Sequence, residues 1–236
     1  MGFGLSLYTC AQVARTTLPT VAEALVGRQR TEIHDRRLAA FARRVIRKTG
    51  IKLDLRGRDQ VPADGAYVFM SNHQSHMDIP VLYGAIPART FRMVAKAELF
   101  RIPLFGRAMR IGGMVELDRQ SRHRAIASLR GAEAALAGGM SLWIAPEGTR
   151  SQTGRLGPLK KGGFYLAVAT GAPIVPVALS GTREILPPGT TRIVPDRPVR
   201  VVFGAPIATA GRQVADLSAE VAEFLATHVV PGHTLP

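Results

Sequence analysis

Asn72-His73-Gln74-Ser75-His76-Met77-Asp78 places an imidazole and a carboxylate five positions apart. A carboxylate beside an imidazole fixes its tautomer and stabilises its protonated form, which makes the histidine a positioned general base near neutral pH. Such a pair can activate a hydroxyl. Five residues of ideal helix turn through roughly 140°, and five residues of strand put the two side chains on opposite faces. Only a bend brings them together, with His73 in a loop and Asp78 in the first turn of a helix. The flanks agree. Residues 66–70 read as a short buried strand, and 79–86 as an apolar helix whose Pro80 is tolerable near its start. His73 is therefore expected just past the carboxyl end of a strand, the usual place for sites in open α/β sheets. A plainer pattern fits the same residues: Ser75-x-x-Asp78 has the form of a helix capping box, in which Asp78 bonds backbone N–H groups. His76, at the first helical position, reads as a solvated or acceptor-facing neighbour.

The elements that must position these groups follow from Ile51 onward, where short apolar runs alternate with helical segments. Strands are expected over 66–70, 91–95, 114–117, 142–145, 174–179 and 199–203, and helices over 79–86, 122–137, 163–170 and 214–229. That alternation predicts an α/β fold with a largely parallel, mixed sheet flanked by helices. Residues 1–50 read as a preceding helical pair broken near Pro19 or Gly27, and 51–236 as the α/β domain. In the second helix Leu38, Phe41, Ala42, Val45 and Thr49 follow helical spacing, while Arg36, Arg43, Arg44, Arg47 and Lys48 crowd the other face. Such a helix suits a bilayer interface, with its cations on lipid phosphates, or an ordinary protein surface. The Pro/Gly-rich 186–198 reads as a loop.

On this frame Lys96, Arg119 and Arg150 each fall after a predicted strand, on one rim with His73 if the strands are parallel. Guanidinium groups grip phosphate through paired N–H donors and lysine adds a point charge, so the rim suits a phosphomonoester. Glu147-Gly148-Thr149-Arg150 is the tightest cluster. Gly148 permits a close turn, Thr149 offers a hydroxyl and Glu147 is suited to holding an arginine; alone, the four also read as a polar turn with a local ion pair.

Composition narrows the setting. The chain has 236 residues, 46% hydrophobic, enough for one main core. Cys10 is the only cysteine, which excludes an intrachain disulfide, a zinc finger and a Cys-x-x-Cys redox centre and suggests a reducing compartment. The net charge of +14 points to polyanionic partners: an anionic membrane, an acidic carrier protein or nucleic acid. Aromatic residues make up only 6%, and the chain lacks an RNA-binding aromatic signature, so nucleic acid is the least favoured. No secretory signal or transmembrane helix is expected, because Gly171, Pro173 and Pro176 interrupt the longest uncharged stretch, 162–182. Nucleophile-elbow, phosphate-loop, dinucleotide and H-E-x-x-H patterns are all missing.

Taken in order, these pieces resemble the lysophosphatidic acid acyltransferases, the 1-acylglycerol-3-phosphate acyltransferase family. Its first block, Asn-His-x4-Asp, matches at Asn72, His73 and Asp78; the second resembles Gly113-Met114-Val115-Glu116-Leu117-Asp118-Arg119; the third, Glu-Gly-Thr-Arg, is complete at Glu147 to Arg150; the fourth resembles Ile174-Val175-Pro176-Val177-Ala178-Leu179. Lys96-Ala97-Glu98-Leu99 followed by Pro103 and Gly106 is also similar.

The resemblance implies acyl transfer from acyl-CoA or an acidic acyl carrier protein to a lyso-phospholipid hydroxyl, with no metal or cofactor. It makes His73 the base, Asp78 its orienter, and Lys96, Arg119 and Arg150 the phosphate ligands. Glu147, Gly148 and Thr149 shape that site, and Val175 and Pro176 border the acyl chain. The setting it implies is peripheral, on the cytoplasmic face of an anionic membrane. Glycerol-3-phosphate or another lyso-lipid is the alternative acceptor, and a basic nucleic-acid-binding protein the alternative from another class.

Overall fold

A computed structural model of the chain describes residues 2–87, 90–117 and 122–230. Two helices come first, α1 (Gly2–Leu25) and α2 (Thr31–Thr49). They are followed by β1 (Lys52–Arg56), β2 (Val68–Ser71), α3 (Asp78–Ala85), β3 (Phe91–Lys96), α4 (Ala97–Phe100), α5 (Phe105–Ile111), β4 (Val115–Leu117), α6 (Arg122–Ala137) and β5 (Ser141–Ile144). The chain continues through α7 (Gly162–Thr170), β6 (Ile174–Ser180), α8 (Thr182–Ile185), β7 (Pro198–Phe203) and α9 (Val214–His228). The strands form one sheet in the order β1-β7-β6-β2-β5-β3-β4, parallel throughout except where β7 runs antiparallel to β6.

Strand periodicity splits the core into two layers. Phe69, Val175, Val177, Val199 and Val201 meet Leu38, Phe41 and Val45 of α2 and Val81 and Leu82 of α3 on one face. Val68, Met70, Leu142, Ile144 and Ile174 meet Phe164 of α7 and Leu217, Val221 and Leu225 of α9 on the other. β2, β5 and β6 are buried along their whole lengths, as strands covered on both faces must be.

The helical pair is tied into this fold. α2 buries the predicted stripe, with His34 added one turn earlier, and exposes Arg36, Arg43, Arg47 and Lys48. It ends at Gly50, whose φ of 67° is left-handed and whose absent Cβ leaves room for the Asp196 carboxylate. Of the two expected breaks the structure has the one at Gly27, where the chain turns, and Pro19 lies inside α1. A mid-helix proline costs roughly 3 kcal/mol, and α1 continues through it packed along both α2 and α5.

Arg92 is buried at the start of β3 and anchors α2 there, donating to the Asp35 carboxylate and to the Phe91 and Gly112 carbonyls. His34 lies beside this cluster, its Nε2 buried without a partner among the described residues and its pKa pushed down from 6.5 to about 4, first by burial and then by the Arg92 charge. The unfolded chain binds a proton at this residue below pH 6.5, whereas the folded chain does not until about pH 4. Stability is therefore full above pH 6.5 and falls as the pH drops to 4. The loss should reach about 3 kcal/mol at this site. Urea unfolding across that range should show this slope, and His34→Gln should flatten it.

Candidate active site

Three strands deliver the site to one rim. Phe69, Trp143 and Met93 stand abreast in β2, β5 and β3, so three residues further along each parallel strand lie Asn72, Pro146 and Lys96. β2 ends between β5 and β6, and the chain is held there by Asn72, whose side chain continues the ladder. Its Nδ2 donates to the Leu179 carbonyl at 2.8 Å and its Oδ1 accepts from Leu179 N–H at 2.7 Å.

The bend demanded by the His-Asp spacing follows directly. His73 is in the loop and Asp78 opens α3. Asp78 Oδ2 accepts from His73 Nδ1 at 2.7 Å, from Gln74 N–H at 2.8 Å and from Ser75 N–H at 3.0 Å. The capping-box pattern is thus partly realised, because the carboxylate does bond backbone N–H groups. They belong to the preceding loop, however, and the same oxygen also holds the imidazole. Asp78 is fully buried, whereas the His73 side chain keeps about a fifth of its surface in solvent. With Nδ1–H committed to Asp78, Nε2 is left with the lone pair. The Trp143 ring stands edge-on to the imidazole, with centroids 6.1 Å apart, and is itself fixed by its Nε1–H donating to Ser71 Oγ.

Glu147 has a different task from the one its sequence suggested. Its Oε1 accepts from His73 N–H at 2.7 Å and its Oε2 from Gly157 N–H at 2.8 Å, and no arginine pairs with it among the described residues. Two backbone donors take both oxygens of a buried carboxylate, so Glu147 braces the His73 backbone. Burial pushes its pKa up, partly offset by those two N–H donors. The His73 carbonyl is held from the same loop by Ser151 N–H at 2.7 Å, which brings Arg150 next to the dyad. Gly148, at φ 73°, makes the turn that allows this, and Thr149 is exposed beside it.

Lys96 is exposed at the end of β3 and Arg150 half-buried; neither has a hydrogen-bond or ion-pair partner among the described residues. The Arg150 charge reaches His76, whose pKa is lowered first by burial and next by that arginine. Arg119 lies outside the described residues.

Val175 and Pro176 are placed elsewhere. Val175 is buried in the sheet against Phe69, and Pro176 lines a separate cleft with Gly204 and Phe224. The apolar space beside the dyad has other walls. A cavity of about 260 Å³ runs under His76 and Met77 between Val13 and Thr17 of α1, Pro80 and Tyr83 of α3, and Phe105 and Met109 of α5. No single stretch of sequence announces it, because it arises only where four helices meet, His34, Leu38 and Phe41 of α2 completing the wall. Phe105, Ala108 and Met109, at helical spacing, were the available sign.

A His-Asp pair thus stands at the carboxyl rim of a mixed α/β sheet, with Lys96 and Arg150 on the same rim and an apolar cavity under the neighbouring His76 and Met77. Residues 52–180 match the Acyltransferase family model, and the chain belongs to that family. It is 39% identical over 157 residues to the chloroplastic 1-acyl-sn-glycerol-3-phosphate acyltransferase BAT2 of Brassica napus, covering 66% of this chain and 45% of that one. It is 33% identical over 172 residues to the alpha enzyme of Bos taurus, covering 72% and 59%. The chain thus spans about half the length of these curated relatives. The crystal structure of the 1-acyl-sn-glycerophosphate acyltransferase PlsC from Thermotoga maritima superposes with a TM-score of 0.79 at 27% identity, covering 94% of this chain and 92% of that one. Among the described residues no helix is long and apolar enough to cross a membrane.

Proposed function

We propose that the protein transfers a fatty acyl group from acyl-CoA or acyl carrier protein to the free hydroxyl of 1-acylglycerol-3-phosphate, making phosphatidate at an anionic membrane surface. The observation that carries this reading is the 2.7 Å His73–Asp78 bond, with His76 and Met77 of the intervening loop lining an apolar cavity and Lys96 and Arg150 on the same rim without partners among the described residues.

The acceptor phosphate binds Lys96 and Arg150, joined by Arg119, and the acyl chain enters the cavity. His73 Nε2 takes the acceptor hydroxyl proton as the oxygen attacks the thioester carbonyl carbon. Asp78 offsets the charge on the imidazolium formed. Collapse of the tetrahedral intermediate breaks the C–S bond, and Nε2–H returns the proton to the sulfur, releasing a thiol. Every proton is accounted for without a covalent acyl-enzyme. Membrane contact is supported by Phe3, Leu7, Leu18 and Leu25, exposed on α1 beside the cationic face of α2.

The decisive experiment is acyl transfer to a panel of lysophosphatidate, glycerol-3-phosphate and other lyso-lipids with both thioester donors. Phosphatidate should form fastest; preference for another acceptor would replace the lysophosphatidate assignment. Arg150→Ala should raise the acceptor KM about tenfold or more with kcat nearly unchanged, as expected for a lost charge-assisted contact present throughout the reaction. An unchanged KM would remove Arg150 from the phosphate site.

A further inference from the structure

The turn between α4 and α5 carries a second apolar surface that the helical pair does not explain. It begins three residues after Lys96, on the same rim as His73, and exposes three large aliphatic side chains: Leu99 by 37%, Ile102 by 46% and Leu104 by 54%. Lys96, Arg101 and Arg107 are exposed around them, against one exposed carboxylate, Glu98. Aliphatic tips in a surrounding where cations outnumber carboxylates complement an anionic interface, with hydrocarbon taking the tips and phosphates the cations.

The backbone holds these tips out at a cost. Leu104 has φ 60° and ψ −50°, a region that residues with a Cβ avoid. A short ladder fixes it: Phe105 N–H to the Pro103 carbonyl at 2.6 Å, Gly106 N–H to Ile102 at 2.8 Å and Ala108 N–H to Leu104 at 2.9 Å. Gly106 lets the turn fold this tightly, since a Cβ there would meet the Phe100 carbonyl oxygen at 2.1 Å. Strain that presents a leucine to water stabilises nothing inside the fold. The next residue, Phe105, lines the apolar cavity, and α5, into which the turn leads, packs along α1, the helix that carries the other exposed apolar side chains.

We infer that the Leu99–Leu104 turn is a second lipid-contacting element, inserted in the same leaflet as α1, which seats the catalytic rim against an anionic phospholipid bilayer. This rests on the membrane part of the proposed function. A bilayer fits the turn better than a carrier protein does because the exposed tips are aliphatic and the turn leads into α5, which packs along α1 with its own exposed apolar side chains, whereas an acidic protein would be met by charge alone.

The test pairs Ile102→Ser with Leu104→Gly. Glycine adopts φ 60° freely, so the melting temperature should hold or rise. Partitioning onto vesicles of phosphatidylcholine with one quarter phosphatidylglycerol should fall about tenfold or more. Turnover of short-chain substrates below their micelle concentrations should not change. Equal partitioning of the double variant and the parent overturns the inference while leaving the acyltransferase reading intact. Failure of the parent itself to bind vesicles overturns both this inference and the membrane part of that reading. Two further outcomes overturn it in favour of another occupant: a raised KM for acyl carrier protein with unchanged vesicle binding, or a parent dimer in sedimentation that the double variant lacks. In a separate variant, Ile102→Trp emission should shift to the blue and be quenched by brominated phosphatidylglycerol, with the buried Trp143 as the unshifted background. Unquenched emission overturns the inference as well.

Discussion

Replacing His73 by alanine should lower acyl-transfer turnover about a thousandfold or more, within the range that a positioned general base contributes. The acceptor KM should change little, because the phosphate is assigned to Lys96 and Arg150. The fold should survive the change. His73 is fixed mainly through its backbone, whose N–H donates to Glu147 and whose carbonyl accepts from Ser151, and both bonds persist in the variant. Steady-state transfer assays with circular dichroism on the same preparation check this. A folded variant turning over at the parent rate would remove the imidazole from the proton path. So would one whose only defect is in acceptor binding.

The spacing that singled out His73 and Asp78 was legible because it excludes both regular elements, so a bend between them was the only geometry that makes chemistry possible. The paired apolar runs around it fixed β2 and α3 to within two residues for the same reason. β1 escaped notice. Leu53 and Leu55 alternate with Lys52, Asp54 and Arg56, a half-exposed edge strand whose signal is too short and too charged to stand out. α4 and α5 escaped because they run for four and seven residues, and Gly106 sits where helical propensity is weakest.

What could not be read from spacing was every relation set by distant segments. Glu147-Gly148-Thr149-Arg150 reads as a local ion pair. Yet folding brings the His73 and Gly157 N–H groups to Glu147 and leaves Arg150 without a partner among the described residues. Val175 and Pro176 share the same limitation. Their motif marks an interior strand, which supports the rim by accepting the Asn72 amide at Leu179 and does not line the cavity.

Asp78→Asn separates the two tasks of that carboxylate and should cost turnover about a thousandfold to ten-thousandfold. Asparagine can keep an oxygen where Oδ2 accepts from Gln74 N–H, Ser75 N–H and His73 Nδ1, so the loop need not move. It cannot offset the positive charge that appears on the ring when Nε2 takes the acceptor proton, and this loss falls on kcat. A stability penalty should accompany it. Asp78 Oδ1 is buried without a partner among the described residues, so the asparagine NH2 placed there finds no acceptor and should cost about 1–3 kcal/mol. If the asparagine flips instead, the NH2 confronts two backbone N–H donors and the bend itself is lost, taking stability down further. Kinetics and urea unfolding measured together distinguish these cases. A variant within tenfold of the parent rate would mean that Asp78 only shapes the loop and that its charge plays no part in catalysis.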